Sequence, residues 1–304
     1  MELWGPVLTA MVTPFQADGR LDVPGAKRLA RHLVDNGSDG LVVCGTTGEG
    51  AVLSLDERLA VWDAVLESVG DRAPVWASTG SYDTAASVKA SRAAADHGVH
   101  GLLVVTPYYN KPPQESLYRH FASVAEATDL PVMLYNVPSR TSVNMAAETT
   151  LRLARDIPNV KAIKEAHGDL GQVADLLAGR PQGFRVLSGD DALTFALVAM
   201  GGDGVVSVAS HLVGAEIGQM IAALRAGDLP RAASLHLRLL PVVRALFATT
   251  SPIPLKAALA MLDLPAGPPR PPLFPLGERE SEVLRAALRR AGLLPDAASV
   301  RAAP

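Results

Sequence analysis

Short runs rich in Val, Leu and Ile recur eight times along the chain, at 5–12, 40–44, 75–78, 102–105, 132–135, 160–164, 185–187 and 205–208. Several, such as LVVC and LLVV, are almost continuously apolar, the pattern of strands buried on both faces of a parallel sheet. The stretches 25–36, 54–69, 84–97, 114–128 and 146–156 instead carry apolar residues at helical spacing. Ser54 with Glu57 three residues on predicts a capping box, and Asn36-Gly37 and His97-Gly98 predict helix ends. Eight strands alternating with helices close most simply into a (β/α)8 barrel, with a doubly wound open sheet as the alternative.

A chain of 304 residues is long enough for about two domains or for one α/β barrel of about 250 residues. We expect a catalytic barrel over 1–224 and a C-terminal helical region over 225–304 packed on it. Helical patterns lie at 230–247, 254–262 and 278–291. Before the last of these comes the proline-dense PAGPPRPPLFP, read either as a stiff connector or as a polyproline ligand for a partner domain.

Charge and cysteine content narrow the function classes. Twenty-eight Lys and Arg against 31 Asp and Glu, with no basic cluster, argue against a nucleic-acid partner. The single cysteine, Cys44, excludes a disulfide framework. The first residues lack the charged and long apolar parts of a secretory signal. The most apolar region, 192–224, is interrupted by Asp203, His211 and Glu216, so no membrane span is expected. The expected setting is cytoplasmic.

Reactive groups of an α/β barrel sit just past the C-terminal ends of its strands. The second strand runs into Gly45-Thr46-Thr47-Gly48-Glu49-Gly50, whose backbone N–H groups and paired hydroxyls suit a carboxylate or a proton relay. It matches neither a Walker nor a Rossmann loop. The fourth ends in Thr106-Pro107-Tyr108-Tyr109-Asn110-Lys111-Pro112-Pro113, either a rigid loop placing phenols or an amphipathic pair closing the rim or an interface. In the fifth, Tyr135 can move a proton and Arg140 can clamp a carboxylate.

The sixth strand is the most informative. Alternation puts Lys164 on the face of small Ala162, opposite Ile163. A lysine there is costly to bury unless it is paired or neutral, and a neutral amine is the nucleophile for an imine. The alternative is a salt bridge to Glu165, Asp190 or Asp191. Strand seven gives Ser188-Gly189-Asp190-Asp191 and strand eight Gly204-Val205-Val206-Ser207, whose backbone groups could border the pocket. Asp190-Asp191 could bind a divalent cation or hydrogen-bond a strand end. Cys44 lacks an evident base partner and reads as a small buried thiol. Seven histidines show no H-x-x-x-H spacing, so no protein-bound metal is expected.

Taken in order, GTTGEG, TPYYNKPPQE, YNVPSRT, IKEA and LSGDD at successive strand ends resemble the dihydrodipicolinate synthase family, grouped with the N-acetylneuraminate lyases as class I pyruvate-dependent lyases on a (β/α)8 barrel. The likeness runs from the first strand to Leu294. It implies condensation of pyruvate and L-aspartate 4-semialdehyde through a covalent imine on Lys164, with no other cofactor. Tyr135 matches the proton donor and acceptor, with Thr46 and Tyr109 completing the relay and Tyr109 serving a neighbouring subunit. Thr47 matches the pyruvate carboxylate contact, joined by backbone at Gly189 and Val206, and Arg140 matches the receiver of the second carboxylate.

The resemblance further implies a homotetramer built as a dimer of dimers. Related 2-keto acid aldolases, for a sugar acid or 4-hydroxy-2-oxoglutarate, stay open, as does a non-catalytic keto-acid-binding barrel. Two positions depart from the family pattern: Gly50 replaces Ser or Ala, and Ser251 replaces Asn before Pro-Ile-Pro. At the positions where lysine-sensitive members bind their end product, this chain has Leu55, Arg58, Tyr82 and Ala86, and retains Tyr108. Lysine is therefore expected to inhibit weakly or not at all.

Overall fold

The computed structural model describes residues 2–295. Eight parallel strands form a closed barrel in chain order: β1 (Val7–Ala10), β2 (Gly40–Val43), β3 (Val75–Ser78), β4 (Gly101–Val105), β5 (Val132–Asn136), β6 (Val160–Glu165), β7 (Arg185–Ser188) and β8 (Gly204–Ser207). β8 returns to pair with β1, which rules out the open sheet. The run expected over 5–12 is thus a four-residue strand, and β2 stops before Cys44, whose φ of 57° turns the chain out of the sheet.

Side chains alternate between two apolar layers. Leu8, Val42, Trp76, Leu103, Met133, Ala162, Leu187 and Val206 fill the barrel interior, and Trp4 closes its lower end with its ring 4.5 Å from that of Trp76. Val7, Leu41, Val75, Leu102, Leu134, Ile163 and Val205 point outward to the helices. Both faces are dry, so near-continuous apolar strands are required here. The β5–β6 register slips between Val132 and Met133, leaving Lys161 exposed and setting Tyr135 opposite Lys164.

The helices are α1 (Val23–Asp35), α2 (Leu55–Val69), α3 (Thr84–Asp96), α4 (Gln114–Ala125), α5 (Pro138–Thr141), α6 (Ala147–Asp156), α7 (Leu170–Gly179), α8 (Thr194–Ala199), α9 (Ser210–Arg225), α10 (Leu229–Leu246), α11 (Ile253–Met261) and α12 (Glu278–Arg290). The capping box closes α2 as expected: Ser54 Oγ accepts from the Glu57 N–H at 3.2 Å while Glu57 Oε2 accepts from the Ser54 N–H at 3.0 Å. Gly37 and Gly98 take positive φ just past α1 and α3, where only a residue without Cβ turns freely. The apolar region over 192–224 resolves into α8, β8 and α9, the last bent at Val213.

α10, α11 and α12 follow where three helical patterns were expected. Val242, Leu246, Leu255, Leu259 and Leu288 belong to one continuous buried cluster with the outward face of the barrel. Residues 296–304 of the region expected over 225–304 lie outside the described residues. The proline-dense stretch is a connector laid back on the barrel. Its Ala266 carbonyl accepts from the Phe15 N–H at 3.1 Å, and the Arg270 guanidinium pairs with Glu57 at 2.5 Å.

Candidate active site

At the C-terminal mouth of the barrel lies a cavity of about 310 Å³ whose lining includes Lys164, Tyr135, Thr46, Thr47, Gly189 and Arg140. These residues are far apart in the chain. Successive strand ends bring them together, as the barrel geometry demands. Lys164 is 5% exposed, and its Nζ stands 4.3 Å from the centre of the Tyr135 ring.

Among the described residues no carboxylate pairs with Lys164, and the three candidates are committed elsewhere. Glu165 accepts from Asn136 Nδ2 at 3.1 Å and from the His167 N–H at 2.8 Å. Asp190 caps the following turn through the Ala192 N–H at 2.8 Å. Asp191 accepts from Ser207 Oγ and from the Val208 N–H at 3.0 Å, so it ties the β7 turn to the end of β8. Burial pushes the carboxyls of Glu165 and Asp191 above their ordinary range.

Gly189 is required by this arrangement. A Cβ there would lie 3.0 Å from Lys164 Cε and 2.7 Å from Ala166 Cβ, crowding the lysine out of its slot. The Val206 side chain faces the barrel interior, and Val208 lines the cavity wall. Cys44 is fully buried, with its thiol pushed up to about 12, consistent with an inert side chain.

The loop after β2 folds tightly. The Glu49 N–H donates to the Thr46 carbonyl at 3.1 Å, the Gly50 N–H to the Gly45 carbonyl at 3.0 Å, and Thr13 Oγ1 to the Gly48 carbonyl at 2.7 Å. A Cβ on residue 50 would sit 2.0 Å from the Cys44 carbonyl oxygen. With the backbone as it stands, a side chain at position 50 would require the Cys44 peptide to shift.

Arg140 is exposed at the mouth, on the short helix that Pro138 opens, and Nη2 reaches the Ser251 carbonyl at 3.4 Å. Tyr109 is 91% exposed with φ 73°, outside the cavity of its own chain. Its neighbour Tyr108 turns inward and meets Tyr82 edge-on at 5.3 Å.

Sequence reasoning missed two contributions from beyond the barrel. Arg244 and Phe247, on and just after α10, also line the cavity, and nothing in their local pattern distinguishes them from an ordinary helix surface. Lys256 of α11 forms a buried ion pair with Glu49 at 2.6 Å.

The sequence model of the dihydrodipicolinate synthetase family matches residues 4–291. The chain belongs to that family. It is 57% identical over 294 residues to the 4-hydroxy-tetrahydrodipicolinate synthase of Symbiobacterium thermophilum, covering 97% of this chain and 100% of the relative. Its identity to the enzyme of the same name from Moorella thermoacetica is 55%, over 96% of this chain and 99% of that one. Among solved structures, the family member from Cyanidioschyzon merolae with lysine bound superposes with a TM-score of 0.95 at 44% identity, covering 97% of this chain and all of the other.

Proposed function

We propose that this family member is a 4-hydroxy-tetrahydrodipicolinate synthase, condensing pyruvate with L-aspartate 4-semialdehyde for lysine and diaminopimelate synthesis. The observation that carries the reading is Lys164: a nearly buried amine against Tyr135, with no counter-charge among the described residues. Such an amine is free to add to a carbonyl carbon.

In this reading the Lys164 amine attacks the keto carbon of pyruvate, and loss of water leaves an imine that serves as the electron sink, so no further cofactor is needed. Tyr135, relayed through Thr46 and the partner's Tyr109, removes a methyl proton to form the enamine and returns one to the new hydroxyl. The enamine carbon bonds to the aldehyde carbon of the semialdehyde. The semialdehyde amino group then attacks the imine carbon, closing the ring and releasing the Lys164 amine.

Thr47, with backbone groups at Gly189 and Val206, would hold the pyruvate carboxylate, and Arg140 the carboxylate of the second substrate. Tyr109, a nearly bare phenol on strained backbone, supports the further proposal that two chains share their sites and that such dimers pair into a homotetramer. No helix among the described residues is long and apolar enough to cross a membrane. The location proposed with this function is cytoplasmic.

The test is to incubate the protein with pyruvate and borohydride, map the adduct, and then assay a panel of aldehydes. We expect the reduced adduct on Lys164 and turnover highest with aspartate 4-semialdehyde. A label on Lys161, or none, sinks the mechanism, and preference for a long polyhydroxy aldehyde sinks the substrate assignment.

A further inference from the structure

Thr46 and Thr47 line the cavity, yet among the described residues neither hydroxyl is hydrogen-bonded to the protein. Their positions are set through their loop's backbone. The Glu49 N–H ties back to the Thr46 carbonyl, and Thr13 holds the Gly48 carbonyl. The last restraint is the buried side chain of Glu49, which leaves the loop from a left-handed residue with φ 54°. Its Oε1 meets Lys256 Nζ at 2.6 Å, and its Oε2 accepts from the Arg270 N–H at 2.8 Å.

Lys256 is held in turn. Its Nζ donates to the Pro268 carbonyl at 3.2 Å and stands 4.2 Å from the centre of the Phe15 ring, which the Arg270 guanidinium also approaches at 4.2 Å. The charged groups around the Lys256 amine are therefore Glu49 from the β2 loop and Arg270 from the connector, with Glu57 of α2 neutralising Arg270. We infer that Glu49 and Lys256 form a positioning pair that holds the Thr46–Thr47 loop at the height where it meets the substrate carboxylate. This rests on the reading above, in which Thr47 receives pyruvate.

Stability alone does not account for such a pair. Both side chains are almost completely desolvated, at 1% and 2% exposure, and a buried ion pair commonly gives no more stability than apolar residues of the same volume. Burial drives the Lys256 amine down to about 8 despite the attraction of Glu49, so the pairing is held against a large desolvation cost. What the pair does provide is direction. A carboxylate bound at two oxygens from two different segments fixes the backbone that carries it, and a small displacement of a binding group costs up to about 10²-fold in rate.

The experiment measures KM for each substrate and kcat in Glu49→Gln, Lys256→Met and the double variant. Active sites are counted by borohydride trapping at saturating pyruvate. In each variant pyruvate kcat/KM should fall roughly ten- to a hundredfold. The loss should be carried by the pyruvate KM, with the KM of the second substrate near wild type. The double variant buries no unpaired charge, so its melting temperature should recover while its pyruvate KM does not.

A double variant with wild-type pyruvate KM, or a loss confined to the number of active sites, overturns the inference. Should Lys256→Met fail to fold, Glu49→Gln decides alone, because it keeps an acceptor for the Arg270 N–H; a wild-type pyruvate KM in that variant overturns the inference. Absence of trapping in the wild-type protein is a separate failure, which overturns the functional reading and this inference with it.

Discussion

Lys164 and Tyr135 are register partners across β5 and β6, and the lysine Nζ stands 4.3 Å from the centre of the phenol ring. Two adjacent strand ends thus bring the proposed nucleophile and the proposed proton carrier to one point, with no loop involved. Groups placed on strands are held more rigidly than groups on loops, which suits an amine that must meet a carbonyl carbon at a defined angle.

Lys164→Ala tests how far the lysine is independent of the fold. Its amine has no ion-pair partner among the described residues, so truncation leaves no buried charge unpaired. The variant should lose turnover and borohydride labelling while its melting temperature and circular dichroism stay near wild type. A collapse of the fold would show that the lysine is structural.

Tyr109 tests the shared site. If the phenol serves a partner's relay, Tyr109→Phe should lower turnover roughly 10²–10⁴-fold, the usual span for a lost acid–base group. Mixing Tyr109→Phe with Lys164→Ala subunits should restore part of the activity, since each mixed dimer can assemble one intact site. No recovery after demonstrated subunit exchange would mean that Tyr109 acts within its own chain.

Arg140 projects at the mouth, and among the described residues only the Ser251 carbonyl, at 3.4 Å, holds its guanidinium. A guanidinium grips a carboxylate through two parallel hydrogen bonds, which an ammonium cannot copy. Arg140→Lys should therefore raise the KM for aspartate 4-semialdehyde while leaving the rate of pyruvate imine trapping unchanged. Equal losses in both would assign Arg140 to supporting the rim.

Lysine inhibition is expected to be weak. Arg58 donates from Nη2 to the Gly50 carbonyl at 2.6 Å beside a second cavity that Tyr108 also lines, and Ala86 on α3 carries no acceptor for an ammonium. Losing one charge-assisted hydrogen bond costs about 1.5–3 kcal/mol, one to two decades of affinity, and the Arg58 cation adds repulsion. Initial rates over a lysine titration decide the matter, and strong inhibition at submillimolar lysine would reveal another acceptor.

The strands were legible because parallel strands buried on both sides read as apolar runs, and the motifs at their ends fall on consecutive turns. Alternation put Lys164 on the face of Ala162, opposite Ile163, and the structure shows that the Ala162 face is the barrel interior. Four helices were not singled out, for physical reasons. α9 falls in the most apolar region, 192–224, and is bent at Val213, so its period is masked. α5 has four residues, α8 has six, and α7 carries Gly171 and Gly179, so none shows a long amphipathic period. Glu49 with Lys256, and Arg244 at the cavity, escaped because each depends on how α10 and α11 fold back over the barrel, which no local spacing records. The double role of Glu57, in the capping box and as the partner of Arg270, was half visible: the cap is local, the ion pair is not.

Acid stability gives the last test. His211 is buried where β8 passes into α9; its Nε2 accepts from the Val12 N–H at 3.2 Å and its Nδ1 lies 2.9 Å from the Val208 carbonyl, an arrangement that requires the neutral ring. Burial drives its pKa from 6.5 down to about 4. The unfolded chain therefore takes up the proton first, so the stability contributed by neutral His211 is complete above 6.5 and is lost as pH falls toward 4. His120, also pushed down to about 4 by burial, acts in the same direction, whereas the raised carboxyls of Glu165 and Asp191 act in the opposite one. Comparison with His211→Gln, which keeps a donor and an acceptor without titrating, isolates the histidine from these groups. The melting-temperature advantage of the wild type over the variant should shrink steadily between about pH 7 and about pH 5. An advantage that stays constant over that range would show that His211 is not the group whose protonation weakens the fold.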